Sequence, residues 1–128
     1  MRRIALIVFA VLLVPQALAG DISGIWKHAD EPGWIEISLD QGKGKGIVVR
    51  NDKFPERVGR EILRELQADG SRDNVWQGQV YAEKLGKYKD AEISLNEPDL
   101  MQFKVKAGFI SRTIDWVRVD ALPASGDN

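Results

Sequence analysis

Strict alternation of apolar and polar residues is the feature that most constrains the fold of this chain. From residue 22 onward, short segments repeat with a period of two, which is the pattern of a strand that buries one face. The clearest example predicts Ile35, Ile37 and Leu39 to point inward from one strand. Polar or glycine-containing turns separate the segments, as in an antiparallel meander. The alternating segments are residues 22–27, 34–39, 46–50, 75–82, 88–95, 101–106 and 111–119.

One further segment, residues 58–67, is compatible with either a helix or a strand. Its apolar residues have helical spacing and most of the others are good helix formers, so local propensity favours a helix by a small margin. The strand alternative places Ile62, Arg64 and Leu66 on one face. A short helix is also possible just before it, with Pro55 in the first turn. With an eighth strand, the meander can close into a barrel and remove its sheet edges.

The first 19 residues have the pattern of a secretory signal peptide. A positive start, Met1-Arg2-Arg3, precedes an apolar run over residues 4–14, and Ala17 and Ala19 occupy the positions that a signal peptidase reads. The apolar run is too short for a membrane span and no stop-transfer pattern follows it; a retained anchor is the less favoured alternative. We therefore expect a periplasmic or secreted protein with one barrel domain over residues 20–120, a flexible tail over 121–128, and no integral membrane segment after cleavage.

Charge and cysteine content narrow the function classes. Without Arg2 and Arg3, the 18 basic side chains become 16, against 19 acidic ones, so the mature chain carries a net charge of −3. This charge argues against nucleic acid and against an anionic membrane as partners. The chain contains no cysteine, so a fold in an oxidising compartment would depend on packing without disulfides.

A glycine and a tryptophan near the start of the chain are predicted to contact an arginine near its end. Gly24 lies two residues before Trp26, and a glycine there allows another side chain to approach the indole closely. Arg118, on the last predicted strand, can lie flat on that indole if the first and last strands pair. We expect Gly24, Trp26 and Arg118 to close one end of the barrel.

Four short segments follow one another along nearly the whole predicted mature chain: Gly24-Ile25-Trp26, Gly46-Ile47-Val48, Trp76-x-Gly78-x-Val80-Tyr81 and Arg112-Thr113-x-x-Trp116-x-Arg118. With these segments, the chain resembles an exported bacterial family called domain of unknown function 2147, and more broadly the lipocalin-like barrels. This resemblance implies an all-β, eight-stranded, antiparallel up-and-down barrel with at most one short helix, and it makes residues 62–66 a strand. The chain departs from the family after Tyr81, where members have an Asp-Pro pair and a longer connection. The resemblance brings no known activity and no site residues.

Large apolar side chains on the predicted strands are candidates for the lining of a ligand cavity. A barrel of eight strands is either filled by side chains or holds one small ligand, and both outcomes stay open. Ile35, Ile47 and Val49 are expected to add to the walls, and Gly78 to leave room beside them. The predicted mouth is formed by residues 28–33, 51–59, 83–87 and 107–111, whose charges nearly balance. The candidate ligand-binding residues are Ile37, Trp76, Tyr81, Ile93, Met101, Phe103 and Trp116.

No set of residues has the pattern of a catalytic or metal site. His28 lies near Asp30 and Glu31, but a short loop without a second histidine or a cysteine rarely holds a metal. Lys84, Lys87 and Lys89 are expected to form a solvated surface, because acidic residues lie beside them. The sequence therefore predicts no enzyme, no metal and no cofactor. It favours an exported binding protein for a small apolar or amphipathic ligand; the alternative is a filled-barrel scaffold or interaction protein of the envelope, whose protein partner the sequence does not name.

Overall fold

The alternating segments form eight antiparallel strands that close into a barrel in strict sequence order. The structure, a computed structural model, describes residues 21–124. The predicted signal peptide and the last four residues of the predicted tail lie outside the described residues. Across residues 21–124, no helix is long and apolar enough to cross a membrane. The predicted fold class is confirmed.

The strand bounds follow the alternation closely. The predicted short helix is a single 3-10 turn, Pro55–Arg57, before the fourth strand. Val75–Ala82 has the bounds that its alternation predicts, whereas the hairpin partners Gly33–Asp40 and Lys43–Asn51 extend further. The strands are β1 Gly24–His28, β2 Gly33–Asp40, β3 Lys43–Asn51, β4 Glu61–Ala68, β5 Val75–Ala82, β6 Lys87–Glu97, β7 Leu100–Ala107 and β8 Ile110–Val119.

The barrel has two chemically different ends. β1 pairs with β8 in the register that places Trp26 opposite Arg118. The end where β1 starts and β8 finishes is called the closed end below. The opposite end, the open end, carries the β1–β2, β3–β4, β5–β6 and β7–β8 connections. These are the connections that the sequence predicts for the mouth.

One hydrophobic core fills the space enclosed by the strands. Alternate residues of each strand point into it, and the buried core includes side chains from all eight strands. Trp34 is also buried but lies on the outer face, between Lys27 and Arg50. Arg50 donates a hydrogen bond to the carbonyl of Pro123, which holds the end of the described chain against this face. The largest fully buried side chains are Trp26, Phe103, Ile22, Ile35, Ile37, Leu63, Leu66, Ile93 and Met101.

The segment that fits both a helix and a strand is a strand interrupted by a bulge. Glu65 has a left-handed backbone, with φ 54°, and the register with β5 shifts beside it. The extra residue turns Leu63 and Leu66 to the same inner face although they are three positions apart. Apolar residues three positions apart are also typical of a helix, so the segment fits both structures. The predicted shared face of Ile62, Arg64 and Leu66 is wrong, because Leu66 is buried in the core while the guanidinium of Arg64 stacks on Tyr88, 3.6 Å from the ring centroid.

The predicted inward face of β3 is also wrong. Val48 is buried in the core and pairs with the inward Ile35. Ile47 pairs with the exposed Glu36, so it faces outward, and neither it nor Val49 belongs to the core. The inward positions that alternate with Val48 are glycines. The apolar residues Ile47 and Val49 therefore suggest the opposite face of β3 as the buried one.

The backbone of β4 approaches Gly78 so closely that no free space remains beside this residue. A Cβ at this position would lie 3.2 Å from the backbone oxygen of Arg64 and 3.4 Å from the Cα of Leu66. The β4 bulge therefore packs against the bare backbone of β5, and the expected room beside Gly78 is absent.

We expect Gly78→Ala to lower the free energy of unfolding by about 1–3 kcal/mol, because backbone atoms must move to accept the methyl group. Gly70→Ala is the matched control, since a Cβ at Gly70 meets nothing within 4 Å. Urea unfolding followed by circular dichroism measures both variants. Equal stability of the two variants would show that the bulge does not press on β5.

Candidate functional site

The closed end is sealed by Trp26 and Arg118, as the sequence predicts. The guanidinium carbon of Arg118 lies 4.4 Å from the centroid of the buried Trp26 ring. Arg118 also donates to three backbone carbonyls: Nη1 to Ser23 at 2.9 Å, Nη2 to Asp21 at 2.7 Å and Nε to Pro98 at 3.0 Å. One side chain therefore ties together the chain before β1, the β6–β7 turn and the end of β8.

The short segment before β1 acts as a plug under this clamp. Ile22 is fully buried, and its carbonyl accepts a hydrogen bond from Trp26 Nε1 at 3.0 Å. The carboxylate of Asp21 accepts hydrogen bonds from the backbone N–H and the hydroxyl of Ser23, and these bonds, helped by the charge of Arg118, lower its pKa. The plug is thus held both by its own turn and by Arg118.

Gly24 meets two requirements of the closed end. Its φ of +128° is strained for any residue with a side chain, and a Cβ there would lie 3.1 Å from Arg118 Nη1. The predicted closing set of Gly24, Trp26 and Arg118 is therefore found together in space.

Six of the seven predicted cavity residues point into the barrel. They come from β2, β5, β6, β7 and β8 and all belong to the buried core. Phe103 and Trp116 are neighbours, with ring centroids 5.3 Å apart. The inward set is Ile37, Trp76, Ile93, Met101, Phe103 and Trp116.

Tyr81 does not line the interior, and its prediction as a cavity residue is wrong. Its neighbour Val80 is the core residue, so Tyr81 lies on the outer face of β5. There it pairs with Tyr88 in an edge-on ring contact of 5.3 Å, and Arg60 covers its ring. The hydroxyl of Tyr88 donates to the carbonyl of Glu61 at 2.6 Å. These contacts link β4, β5 and β6 on the outer face of the barrel.

Trp116 carries a polar group that the surrounding protein leaves unmatched. Its side chain is 5% exposed and belongs to the core. Its indole Nε1–H is the buried side-chain donor without a hydrogen-bond partner among residues 21–124. A buried donor without an acceptor costs about 1–3 kcal/mol. The otherwise apolar interior therefore contains one donor that an acceptor atom of a bound molecule can satisfy.

His28 faces Trp116 at the start of the open end. The two ring centroids lie 5.1 Å apart in an edge-on contact. Nδ1 of His28 accepts hydrogen bonds from the backbone N–H groups of Asp30 and Glu31, at 3.0 and 3.1 Å. Nδ1 is therefore occupied as an acceptor, which places the proton of the neutral ring on Nε2. In the described chain, no three histidine or acidic side chains are grouped as metal ligands.

The acidic side chains of β6 and of the β4–β5 and β6–β7 connections lie outside the barrel. Asp90 and Asp99 are exposed, and Glu92 forms an ion pair with Arg72. Asp69, in the β4–β5 loop, has a pKa held well below its usual value by hydrogen bonds from Ser71, and then from Gln77 and Arg72. These groups order loops and the outer surface, and none of them faces the interior.

Sequence reasoning missed three features of this site. The first is Ile22, which precedes β1 and fills the closed end instead of being the first residue of the strand. Its apolar character alone does not distinguish these two positions. The second is the unmatched donor of Trp116, which no sequence pattern reveals. The third is the contact of His28 with Trp116, which the alternation of His28 with Trp26 indicates because it places both residues on the inner face.

Comparison with known proteins agrees with this geometry. No family model matches the chain, and no curated protein matches it either. Among solved structures, the chain is similar to protein HP1028 from the human pathogen Helicobacter pylori, whose description assigns it to the lipocalin family. The two share 18% sequence identity with a TM-score of 0.60, over 79% of this chain and 84% of the other. At this identity the likeness concerns the fold alone, and the fold of this chain is a lipocalin-like barrel.

Proposed function

We propose that this protein binds a small apolar or amphipathic molecule inside the barrel and is not an enzyme. The single observation that carries the proposal is the unmatched indole N–H of Trp116 in an apolar interior. Ligand sites combine mostly apolar walls with a few placed polar groups, and this interior has that composition. The lipocalin-like fold supports a binding role over a catalytic one.

The preferred ligand has an apolar body and one hydrogen-bond acceptor. The apolar body would be favoured by burial at about 25 cal/mol per Å² against the core side chains. A carbonyl or carboxylate oxygen would accept from Trp116 Nε1. The neighbouring His28, with its proton on Nε2, is a second donor on the same side of the interior.

Trp116→Phe tests this proposal, because it removes the donor and keeps an aromatic ring. We expect binding of a fluorescent fatty-acid analogue to weaken by about fivefold to tenfold, the value of one net hydrogen bond. A probe of similar size without an acceptor should lose much less. Trp34→Phe is the matched control, since Trp34 is equally buried but lies on the outer face. If both variants bind the fatty-acid analogue as tightly as the unmodified protein, Trp116 does not contact the ligand.

A filled-barrel scaffold is the second candidate. It is favoured by the near-complete burial of Trp26, Phe103 and Met101, which occupy much of the interior. Under this alternative, neither probe binds to the unmodified protein or to either variant, while circular dichroism shows an intact barrel.

We also propose that the protein is exported to the periplasm or secreted, and that it is related to the domain of unknown function 2147 family. The support for export is the sequence pattern of residues 1–19, and the support for the family is the set of motifs from Gly24 to Arg118. Export requires a mature chain that begins at Gly20, which the intact mass of the isolated protein reveals.

A further inference from the structure

The most exposed large hydrophobic side chains of the described chain gather at the open end. Phe109 is 99% exposed, Ile110 62%, Leu85 52% and Val58 50%, and each lies in or beside an open-end connection. Three of them are on two neighbouring hairpins, β5–β6 and β7–β8, which are adjacent because β6 pairs with β7. These two connections, residues 83–87 and 108–110, are called the hairpin tips below.

Local turn chemistry does not account for Phe109. The β7–β8 connection is a two-residue turn with Gly108 at φ +69°, which supplies the positive φ that a tight hairpin needs. The second turn position makes no such demand and is usually polar in water. A fully exposed phenylalanine at this tip therefore fits contact with an apolar phase better than a role in folding.

Unpaired basic residues surround the hairpin tips. Lys84 and Lys87 flank Leu85, and Lys106 and Arg112 flank Phe109 and Ile110 along the chain. Lys89 and Lys106 line the same cleft of about 260 Å³ between the two hairpins, together with Tyr88, Asp90 and Gly108. None of these five cations forms an ion pair within residues 21–124. Over residues 82–90 and 106–112 the acidic residues are Glu83, which is paired with Arg60, and Asp90.

We propose that the hairpin tips dock on the surface of an anionic phospholipid membrane. Phe109, Ile110 and Leu85 would enter the boundary between head groups and acyl chains, and the surrounding cations would contact lipid phosphates. The charge complementarity is local: the mature chain carries a net charge of −3, but exposed charges beyond about 8 Å are largely screened at physiological salt. Such docking brings the mouth of the barrel to the membrane. It therefore rests on the proposed function for its purpose, because it places a ligand-binding interior next to lipids, but the docking itself needs no cavity.

Flotation with lipid vesicles tests the docking. We expect the protein to float with phosphatidylcholine vesicles that contain phosphatidylglycerol, and to bind pure phosphatidylcholine vesicles at least tenfold more weakly. Phe109→Ser should weaken binding to the anionic vesicles by about tenfold. The double variant Lys84→Gln with Lys87→Gln should weaken it by a similar factor and reduce its salt dependence. Lys45→Gln, an exposed lysine near the closed end, is the matched control and should change nothing.

A site-specific label gives the orientation, because the chain has no cysteine of its own. An environment-sensitive dye on Phe109→Cys should shift to the blue on addition of anionic vesicles, whereas the same dye on Lys45→Cys should not. Equal binding to both vesicle types, no binding to anionic vesicles, or a blue shift at position 45 instead of 109 would overturn the proposal. Because these readouts involve no interior ligand, vesicle binding can fail while the fatty-acid analogue still binds, and the reverse holds as well.

Discussion

Trp26→Ala is expected to lower the free energy of unfolding by about 3–5 kcal/mol, the range for truncating a fully buried large aromatic side chain. The substitution removes a ring that is fully buried, the hydrogen bond from Nε1 to the carbonyl of Ile22, and the surface on which Arg118 lies. It therefore opens the closed end and releases the plug. Urea unfolding followed by tryptophan fluorescence or circular dichroism measures the loss.

Arg118→Ala is the partner measurement that tests the contact itself. We expect a loss of about 2–3 kcal/mol, because three charged hydrogen bonds and the cation–π contact disappear from a partly exposed group. The double variant should lose less than the sum of the single losses by about 0.5–3 kcal/mol, since the two side chains touch. Arg112→Ala on the same strand is the control and should be near neutral. Strict additivity of Trp26→Ala and Arg118→Ala would show that the clamp does not couple them.

Phe103→Ala is the second large effect, with an expected loss of about 3–5 kcal/mol. Phe103 is fully buried and packs against Trp116, so the substitution leaves a cavity beside the unmatched donor. If the interior binds ligands, an apolar molecule that fills this cavity should bind and restore part of the lost stability. Thermal unfolding with and without an apolar fluorescent probe measures both effects.

Lys104→Ala is the matched control for this experiment. Lys104 is the next residue along β7 and points to solvent, so its loss should change neither the stability nor the probe affinity. A Phe103→Ala protein that is folded, destabilised and still unable to bind any apolar probe would favour the filled-barrel scaffold.

Most strands could be predicted because strand alternation is a local property. In residues 34–39, Ile35 and Ile37 are buried as the alternation predicts, whereas Leu39, towards the closed end of the strand, is 39% exposed. The pairing of Trp26 with Arg118 was also accessible, because antiparallel order in a closed meander brings the first and last strands together.

Sequence prediction and structure differ where the alternation is interrupted or where residue type and alternation disagree. The bulge at Glu65 depends on the bare backbone of Gly78 on the next strand, so residues 58–67 alone do not reveal it. In β3 the inward positions are glycines, which carry no hydrophobic signal. Tyr81 is different: its odd spacing from the inward Trp76 and Val80 indicates the outer face, and an aromatic side chain is not by itself a sign of an inward position.

The polar chemistry of the interior could not be predicted from residue types. Whether the indole N–H of Trp116 finds an acceptor depends on all of its neighbours in space, which come from several strands. The same tryptophan type at position 26 is satisfied by the carbonyl of Ile22. The difference between a tryptophan N–H that has an acceptor and one that lacks it is therefore visible only in the folded barrel.

Native mass spectrometry of the protein isolated from its own cells tests the central claim that the barrel holds a ligand. We predict a chain that begins at Gly20 with a small molecule attached, and the release of that molecule when the protein is denatured. The bare mass of the chain under native conditions, unchanged after incubation with a total lipid extract of the same cells, would contradict the claim.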